Sequence, residues 1–327
     1  MSLISRIASF FSKRAVGLDI GTTSIKMVEI EESDGAPRLA AYGILETYDY
    51  LRRGNAALHG DGLTLLEAES AGLVRMLVKN ARIESRDVIA SIPASASFTA
   101  LIEIPLVNQE ETRKIMEYQA RAIVPRPLTD VALEWLPTRS FEDDDGAKKQ
   151  EIFLVAISKE EIGKYGRVCA AAGLTLRALE IEGASLARVL TRGAEGESLI
   201  IDIGGQATTI CVGWRGMVLL NTSIDFAGNS LTRAIARGLN VSEERAESLK
   251  REEGLKGTGG TYELSSLMAP HVDIILGEAK RVLKTYEDRH KREVGRVVFV
   301  GGGANLKGLV ERAAREFAVP VSRGESL

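Results

Sequence analysis

The stretch Val16-Gly17-Leu18-Asp19-Ile20-Gly21-Thr22-Thr23-Ser24 decides the fold, because its pattern returns at Leu199-Ile200-Ile201-Asp202-Ile203-Gly204-Gly205. Each copy is an apolar strand that ends in Asp and Gly. Each then runs through hydroxyl-bearing residues, Thr22 to Ser24 in one and Thr208 and Thr209 in the other, into a second strand. One such turn is a common hairpin. Two of them, each opening a β-meander, indicate an internal duplication.

Working outward from the first copy, Val16–Ile20, Ser24–Glu31 and Arg38–Leu45 read as three strands, with Asp34-Gly35 as a turn. Thr64–Lys79 carries apolar residues at helical period, and Val88–Ile92 is a buried strand. The second copy has strands at Leu199–Ile203, Thr208–Trp214 and Met217–Ser223, then a helix Asn229–Gly238 capped by Asn229 or Ser230. Asn240–Leu267 is polar and mostly helical with a break at Gly257–Gly260, and Val272–His290 is a long helix. Arg296–Val300 is a strand that enters Gly301-Gly302-Gly303, with a helix Asn305–Phe317 beyond and Val319-Pro320-Val321 closing the chain.

Between the copies lies a small α+β stretch. Phe98–Ile104, Val131–Leu136 and Ile152–Ile157 read as strands, and Gln109–Ile123 and Lys159–Ala172 as helices. The charged Glu142–Lys149 segment is a solvated hairpin or loop. Leu174–Ile181 returns to strand and Glu182–Thr191 to helix.

The chain has 327 residues, 45% hydrophobic and 27% charged, with a net charge of −3. That balance excludes collagen-like and disordered classes and argues against a general nucleic-acid binder. Two distant cysteines, Cys169 and Cys211, form no disulfide framework and fit a reduced cytoplasmic setting. His59, His271 and His290 lie in unrelated stretches and offer little for a His-rich metal site or a His-based triad. No apolar run reaches membrane-span length. Met1–Arg14 places Leu3, Ile4, Ile7, Phe10 and Phe11 at helical spacing among Arg6, Lys13 and Arg14. It is either a short amphipathic helix touching a membrane or partner, or a loosely ordered tail.

The chemistry of the two turns is that of phosphate. Glycine lets the backbone approach an anion with no Cβ in the way, and amides and hydroxyls donate to its oxygens. An Asp at a strand end can hold a hydrated Mg²⁺. Two such turns facing each other would clamp the phosphates of one nucleotide. The Gly301–Gly303 turn suits close approach of a flat ring or a phosphate. It is not a P-loop, since Leu309 follows Gly308 where Lys is needed, nor a dinucleotide fingerprint, since Leu306 stands where the third Gly belongs.

These residues resemble the actin/Hsp70/sugar-kinase ATPase superfamily, an α/β class with a duplicated RNase H-like fold, two lobes and here a small α+β insert in the first. The resemblance implies ATP with Mg²⁺ as cofactors. It implies phosphate contacts from Gly21, Thr22, Thr23, Lys26, Gly204, Gly205, Gln206 and Thr208, and adenosine contacts from Gly228, Glu247, Lys250, Gly301, Gly302, Gly303 and Asn305. Asp19 and Asp202 would hold the metal through water. Glu182, in Ile181-Glu182-Gly183-Ala184, resembles the acid that positions the attacking water, although the family often has Pro where Gly183 stands. A surface Glu favouring the helix dipole is the alternative. Ala246-Glu247-Ser248-Leu249-Lys250 resembles the adenine-side helix of bacterial actins, and a solvated face with an ion pair is its alternative. The implied division is a tail 1–15, a first lobe 16–93 and 174–198 with an FtsA-like insert 94–173, a second lobe 199–239 and 269–327, and an adenine-side subdomain 240–268.

Within the superfamily the chain is similar to the PilM family of type IV pilus and related secretion machines. The resemblance rests on the Ile92-Pro93 strand end, Tyr118-Gln119-Ala120-Arg121-Ala122-Ile123-Val124-Pro125 and Phe226-Ala227-Gly228-Asn229-Ser230-Leu231-Thr232. Relatives often run on past the position of Leu327. The family implies a partner more than a reaction: the cytoplasmic N-terminal tail of a PilN-type single-pass membrane protein, bound in a groove beside the insert. Ile89–Leu106 and Gln109–Val124 are candidates for that groove, and core packing is their alternative reading. Other pilus or secretion components including the assembly ATPase, self-association, and a cytoplasmic location peripheral to the inner membrane are further expectations; nucleic acid is not. Hydrolysis would be weak or absent. A division protein of the FtsA class and a small-molecule kinase are the competing functions. FtsA usually ends in a membrane-binding helix, and no acid for a phosphoryl acceptor is evident here.

Overall fold

The computed structural model describes residues 14–33, 36–47, 67–255 and 262–324. The N-terminal tail, the Asp34-Gly35 turn, His59, the start of the 64–79 helix and the Gly257–Gly260 break lie outside them. In chain order the first part runs β1 (Arg14–Ile20), β2 (Ser24–Ser33), β3 (Ala36–Glu46), α1 (Glu67–Asn80) and β4 (Asp87–Ile92). Then come β5 (Ser97–Pro105), α2 (Gln109–Ile123), β6 (Val131–Glu142), β7 (Lys148–Ser158), α3 (Lys159–Ala171), β8 (Thr175–Ile181) and α4 (Glu182–Leu190). The last part is β9 (Glu197–Ile203), β10 (Thr208–Trp214), β11 (Met217–Ile224), α5 (Gly228–Leu239), α6 (Glu243–Glu253), α7 (Tyr262–His290), β12 (Val294–Val300), α8 (Leu309–Ala313) and β13 (Val321–Arg323).

The duplication is explicit in the sheets. One has the order β3-β2-β1-β4-β8 and another β11-β10-β9-β12-β13. In each, three antiparallel strands are followed by two that add in parallel. A third sheet has the order β5-β7-β6. The chain divides into two compact units: residues up to Phe98 with Gln109–Glu134 and Val155–Glu182, and Thr99–Asn108 with Trp135–Leu154 and the chain from Gly183 on. The 94–173 stretch contributes to both.

In the first unit, alternate residues Val16, Leu18 and Ile20 of β1 and Ile25 and Met27 of β2 are buried, the period of two expected of a strand with one covered face. Helix α1 buries Leu73, Val74, Leu77 and Val78. Gly43 of β3 is what lets it close in: a Cβ there would lie 2.7 Å from Leu77 Cδ1 and 2.9 Å from Ala81 Cβ. Between Gly43 and its neighbours the pleat turns Tyr42 and Ile44 outward, and both are exposed. In the second unit, Leu199, Ile200 and Ile201 of β9 are all fully buried, the continuous apolar run of a strand covered on both faces. The 143–147 connection is a hairpin whose Asp143 carboxylate accepts the amides of Asp145 and Ala147.

Three helix expectations are corrected. Helix α5 starts at Gly228 with Ala227 as its cap residue, not Asn229 or Ser230, and no side chain caps it. Its first amides go to backbone instead: Gly228 N donates to Gly204 O at 3.0 Å and Asn229 N to Gly205 O at 2.8 Å. Helix α7 begins at Tyr262, ten residues before Val272, and carries Pro270 in its interior. An interior Pro costs about 3 kcal/mol, but stopping there would leave Leu264 and Met268 out of the core, where each is worth about 1.5–3 kcal/mol. The 305–317 segment is a 3₁₀ turn at Gly302–Asn305 and then the short α8, separated by Gly308 at φ +86°. Gly43→Ala should destabilise the protein by about 1–3 kcal/mol in urea unfolding, because Ala81 Cβ has no flexible end to move aside.

Candidate functional site

The two duplicated turns have one geometry. Gly21 N donates to Ser24 O at 3.0 Å and Gly204 N to Ala207 O at 3.1 Å. A Cβ on Gly21 would stand 2.8 Å from Ser24 O, and one on Gly204 would stand 2.8 Å from Ala207 O. Only glycine permits this tight reversal, so the equivalent of Gly21 is Gly204.

In the first unit, Asp19 at the end of β1 accepts from Lys26 Nζ at 2.9 Å on one carboxylate oxygen and from Ser91 Oγ at 3.0 Å on the other. Lys26 stands opposite Asp19 because β1 and β2 pair them in register. Thr22 is exposed and Thr23 half-buried. Their carbonyls are tied to Thr47, whose hydroxyl donates to Thr22 O at 3.3 Å and whose amide donates to Thr23 O at 2.9 Å. Glu182 is the first residue of α4.

In the second unit, four predicted segments come together. The Gly204–Gly205 turn receives the start of α5, and a Cβ on Gly228 would lie 3.2 Å from Gly204 O and 3.5 Å from Lys250 Nζ. Lys250 on α6 donates to Gly228 O at 3.1 Å and to Thr232 Oγ1 at 2.8 Å, and pairs with Glu247 at 2.6 Å. Arg251 donates to the other oxygen of Glu247 at 2.8 Å. Burial alone would raise the Glu247 carboxyl, but Lys250, Thr232 and Arg251 outweigh it and hold the group below its ordinary value. Burial likewise lowers the Lys250 ammonium, against the opposing pull of Glu247.

The third glycine turn closes on the same strand end. Gly301 has φ +81°, and a Cβ on it would lie 2.1 Å from Asp202 Oδ1. A Cβ on Gly303 would lie 2.3 Å from Ile203 Cγ2, whereas one on Gly302 would meet nothing within 4 Å. Asn305 Nδ2 donates to Gly302 O at 3.3 Å, and its Oδ1 accepts from Arg323 at 3.1 Å. Gln206 is exposed. Thr208 is fully buried, and its hydroxyl donates to Phe226 O at 2.6 Å, so it fixes the approach to α5. Gly183 is held to glycine by packing: a Cβ there would lie 2.2 Å from Asn221 Oδ1.

Two residues at these centres were not singled out from sequence. Thr232 donates to Glu247 at 2.6 Å and sits one helical turn after Gly228, a spacing that points to it once Gly228 is placed. Ser91, which braces Asp19, lies 72 residues away and leaves no local signal. Among the described residues, α2 buries Thr112, Met116 and Ala120 and leaves Tyr118 and Ala122 exposed, so Met116 packs as core.

These features, a twice-used sheet with a glycine turn at the head of each copy, define an actin-like ATPase fold. Solved structures bear this out: that of a PilM-PilN type IV pilus biogenesis complex (TM-score 0.79, 22% identity, 95% of this chain and 88% of that one) and that of MreB5 of Spiroplasma citri bound to AMPPNP (0.55, 14%, 96% and 92%). The chain belongs to the family described as type IV pilus assembly protein PilM, whose model matches residues 17–322. It is also 26% identical over 351 aligned positions to the cell division protein FtsA of Enterococcus faecalis, covering 94% of this chain and 77% of FtsA. No described helix is long and apolar enough to cross a membrane.

Glu247→Gln should cost about 1.5–3 kcal/mol near neutrality, since it leaves Lys250 half-buried beside a neutral amide. A carboxyl held below its ordinary value stabilises the fold at pH above its unfolded value and loses that effect as pH falls through the folded one. The gap between wild type and variant in chemical unfolding should therefore close below the usual carboxylate range.

Proposed function

We propose that this chain is an ATP-binding adaptor of a pilus or secretion assembly platform, which recruits the cytoplasmic N-terminal tail of a PilN-type membrane protein. The observation that carries the nucleotide half is the convergence of Gly204–Gly205, Gly228, Lys250 and Gly301–Gly303 in the second unit. The amides of Gly205 and Gln206 would donate to phosphate oxygens, and Asp202 would hold Mg²⁺ through water. Gly302 and its neighbours leave room for the adenosine ring, with Glu247, Lys250 and Asn305 bordering it. In the first unit, the Gly21 turn would offer the amides and hydroxyls of Thr22 and Thr23, with Lys26, as donors of the same kind, and Asp19 as a carboxylate beside them. Glu182 would orient a water, and slow turnover is the expected activity. The MreB5 structure with AMPPNP supports a nucleotide role for the fold.

The open space at Gly302 makes a clean test. Gly302→Val should leave thermal stability near that of wild type yet weaken ATP binding about tenfold or more in calorimetry. Asp202→Ala should weaken Mg·ATP more than ATP in EDTA. Unchanged affinities in both variants would remove the nucleotide assignment.

The partner half rests on the PilM-PilN complex and on the exposed Tyr118 and Ala122 of α2. A synthetic peptide copying the N-terminal tail of the PilN-type protein encoded by the same organism should bind saturably, at micromolar affinity or better, and Tyr118→Ala should weaken it. The identity to FtsA favours a division protein as the second reading. That reading expects no binding to the pilus peptide with or without ATP. Tethering through such a tail would hold the protein at the inner membrane.

A further inference from the structure

Away from the glycine turns, the second unit buries a group of charges that the nucleotide reading does not use. Glu103 of β5, Glu151 of β7 and His290 at the end of α7 offer ligand atoms that all lie within 4.8 Å of one another. The Nδ1 of His290 is 3.7 Å from Glu151 Oε1 and 3.9 Å from Glu103 Oε1. Glu151 is completely buried and the His290 side chain is 6% exposed. Arg292 occupies one oxygen of Glu151, yet the other, Oε2, has no hydrogen-bond partner, and neither has His290 Nδ1. A buried acceptor left unsatisfied costs about 1–3 kcal/mol, and more when it is charged. Both atoms belong to one buried cluster, and a bound cation would satisfy them together.

We infer that Glu103, Glu151 and His290 form a binding site for a divalent transition metal of the zinc class. The ligand set argues for that class: an imidazole with two carboxylates suits Zn²⁺, whereas Mg²⁺ and Ca²⁺ take oxygen ligands. So does the spacing. Ligands at the corners of a tetrahedron around Zn²⁺ stand about 3.3–3.4 Å apart; the three ligand atoms here all lie within 4.8 Å of one another, with His290 Nδ1 3.9 Å from Glu103 Oε1. The neighbourhood tolerates the charge. Arg139 and Arg292 pair with Glu197 and Glu151, and Glu103 adds a third carboxylate against these two and Arg289, so the cluster carries no excess of positive charge before His290 is protonated. Water would complete the coordination on the exposed Glu103 side. The ion would tie β5 and β7 to the end of α7, three elements that no contiguous stretch of chain links.

The test uses untagged, EDTA-stripped full-length protein and ZnCl₂. Wild type should bind one Zn²⁺ in calorimetry at micromolar affinity or tighter and melt at higher temperature with it. Glu103→Gln changes an exposed residue and keeps the fold, as circular dichroism would verify. It and His290→Ala should each weaken binding about tenfold or more. Co²⁺ should show tetrahedral visible bands in wild type that both variants lose. Absence of saturable binding would leave a bare histidine–glutamate ion pair and overturn the site, as would equal affinity in all three proteins.

Discussion

At Gly21 and Gly204 the backbone folds back so tightly that a single methyl group would sit 2.8 Å from the carbonyl oxygen it faces. The arrangement around both turns depends on that missing atom. In the second unit the reversal leaves the carbonyls of Gly204 and Gly205 pointing at the start of α5, and they take its first two amides. That contact orients α5, which in turn brings Thr232 and Gly228 O to Lys250. On the other side, Gly301 at φ +81° lets the 301–303 turn come up against Asp202 and Ile203. Strand end, the start of α5, α6 and the third turn are thus keyed to one hairpin.

The first unit repeats the sheet but equips its turn differently. There the carbonyls of Thr22 and Thr23 are held by Thr47, and Asp19 is braced by Lys26 and Ser91. Around it stand an exposed Thr22, a half-buried Thr23 and a Lys26 paired with Asp19. The second-unit turn is ringed instead by two glycine segments and a Lys–Glu pair. The two copies thus differ in their surroundings, since the turns themselves are alike.

Burial explains where local rules yield. Pro270 does not stop α7, because the apolar positions on either side of it belong to one core face. Helix α5 does without a side-chain cap, because main-chain carbonyls from another segment satisfy its end. In both cases a preference of the sequence is outweighed by a contact that exists only in the folded chain. The same holds for Thr208: from sequence it reads as a phosphate donor, and in the fold its hydroxyl is committed to Phe226 O.

By itself, the sequence determined the two β-meanders, their glycine turns, the order of elements and the family. Period-two burial, glycine reversals and strand-Asp-Gly spacing are written within a few consecutive residues. Tertiary structure alone decided that Ser91 braces Asp19, that Thr232 joins Glu247 and Lys250, and that Glu103, Glu151 and His290 meet. Those encounters join side chains from separate elements, and their partners are chosen by sheet order and helix packing. One histidine in an unremarkable stretch carries no spacing signal, and it gains a chemistry only when β5 and β7 are brought against the end of α7.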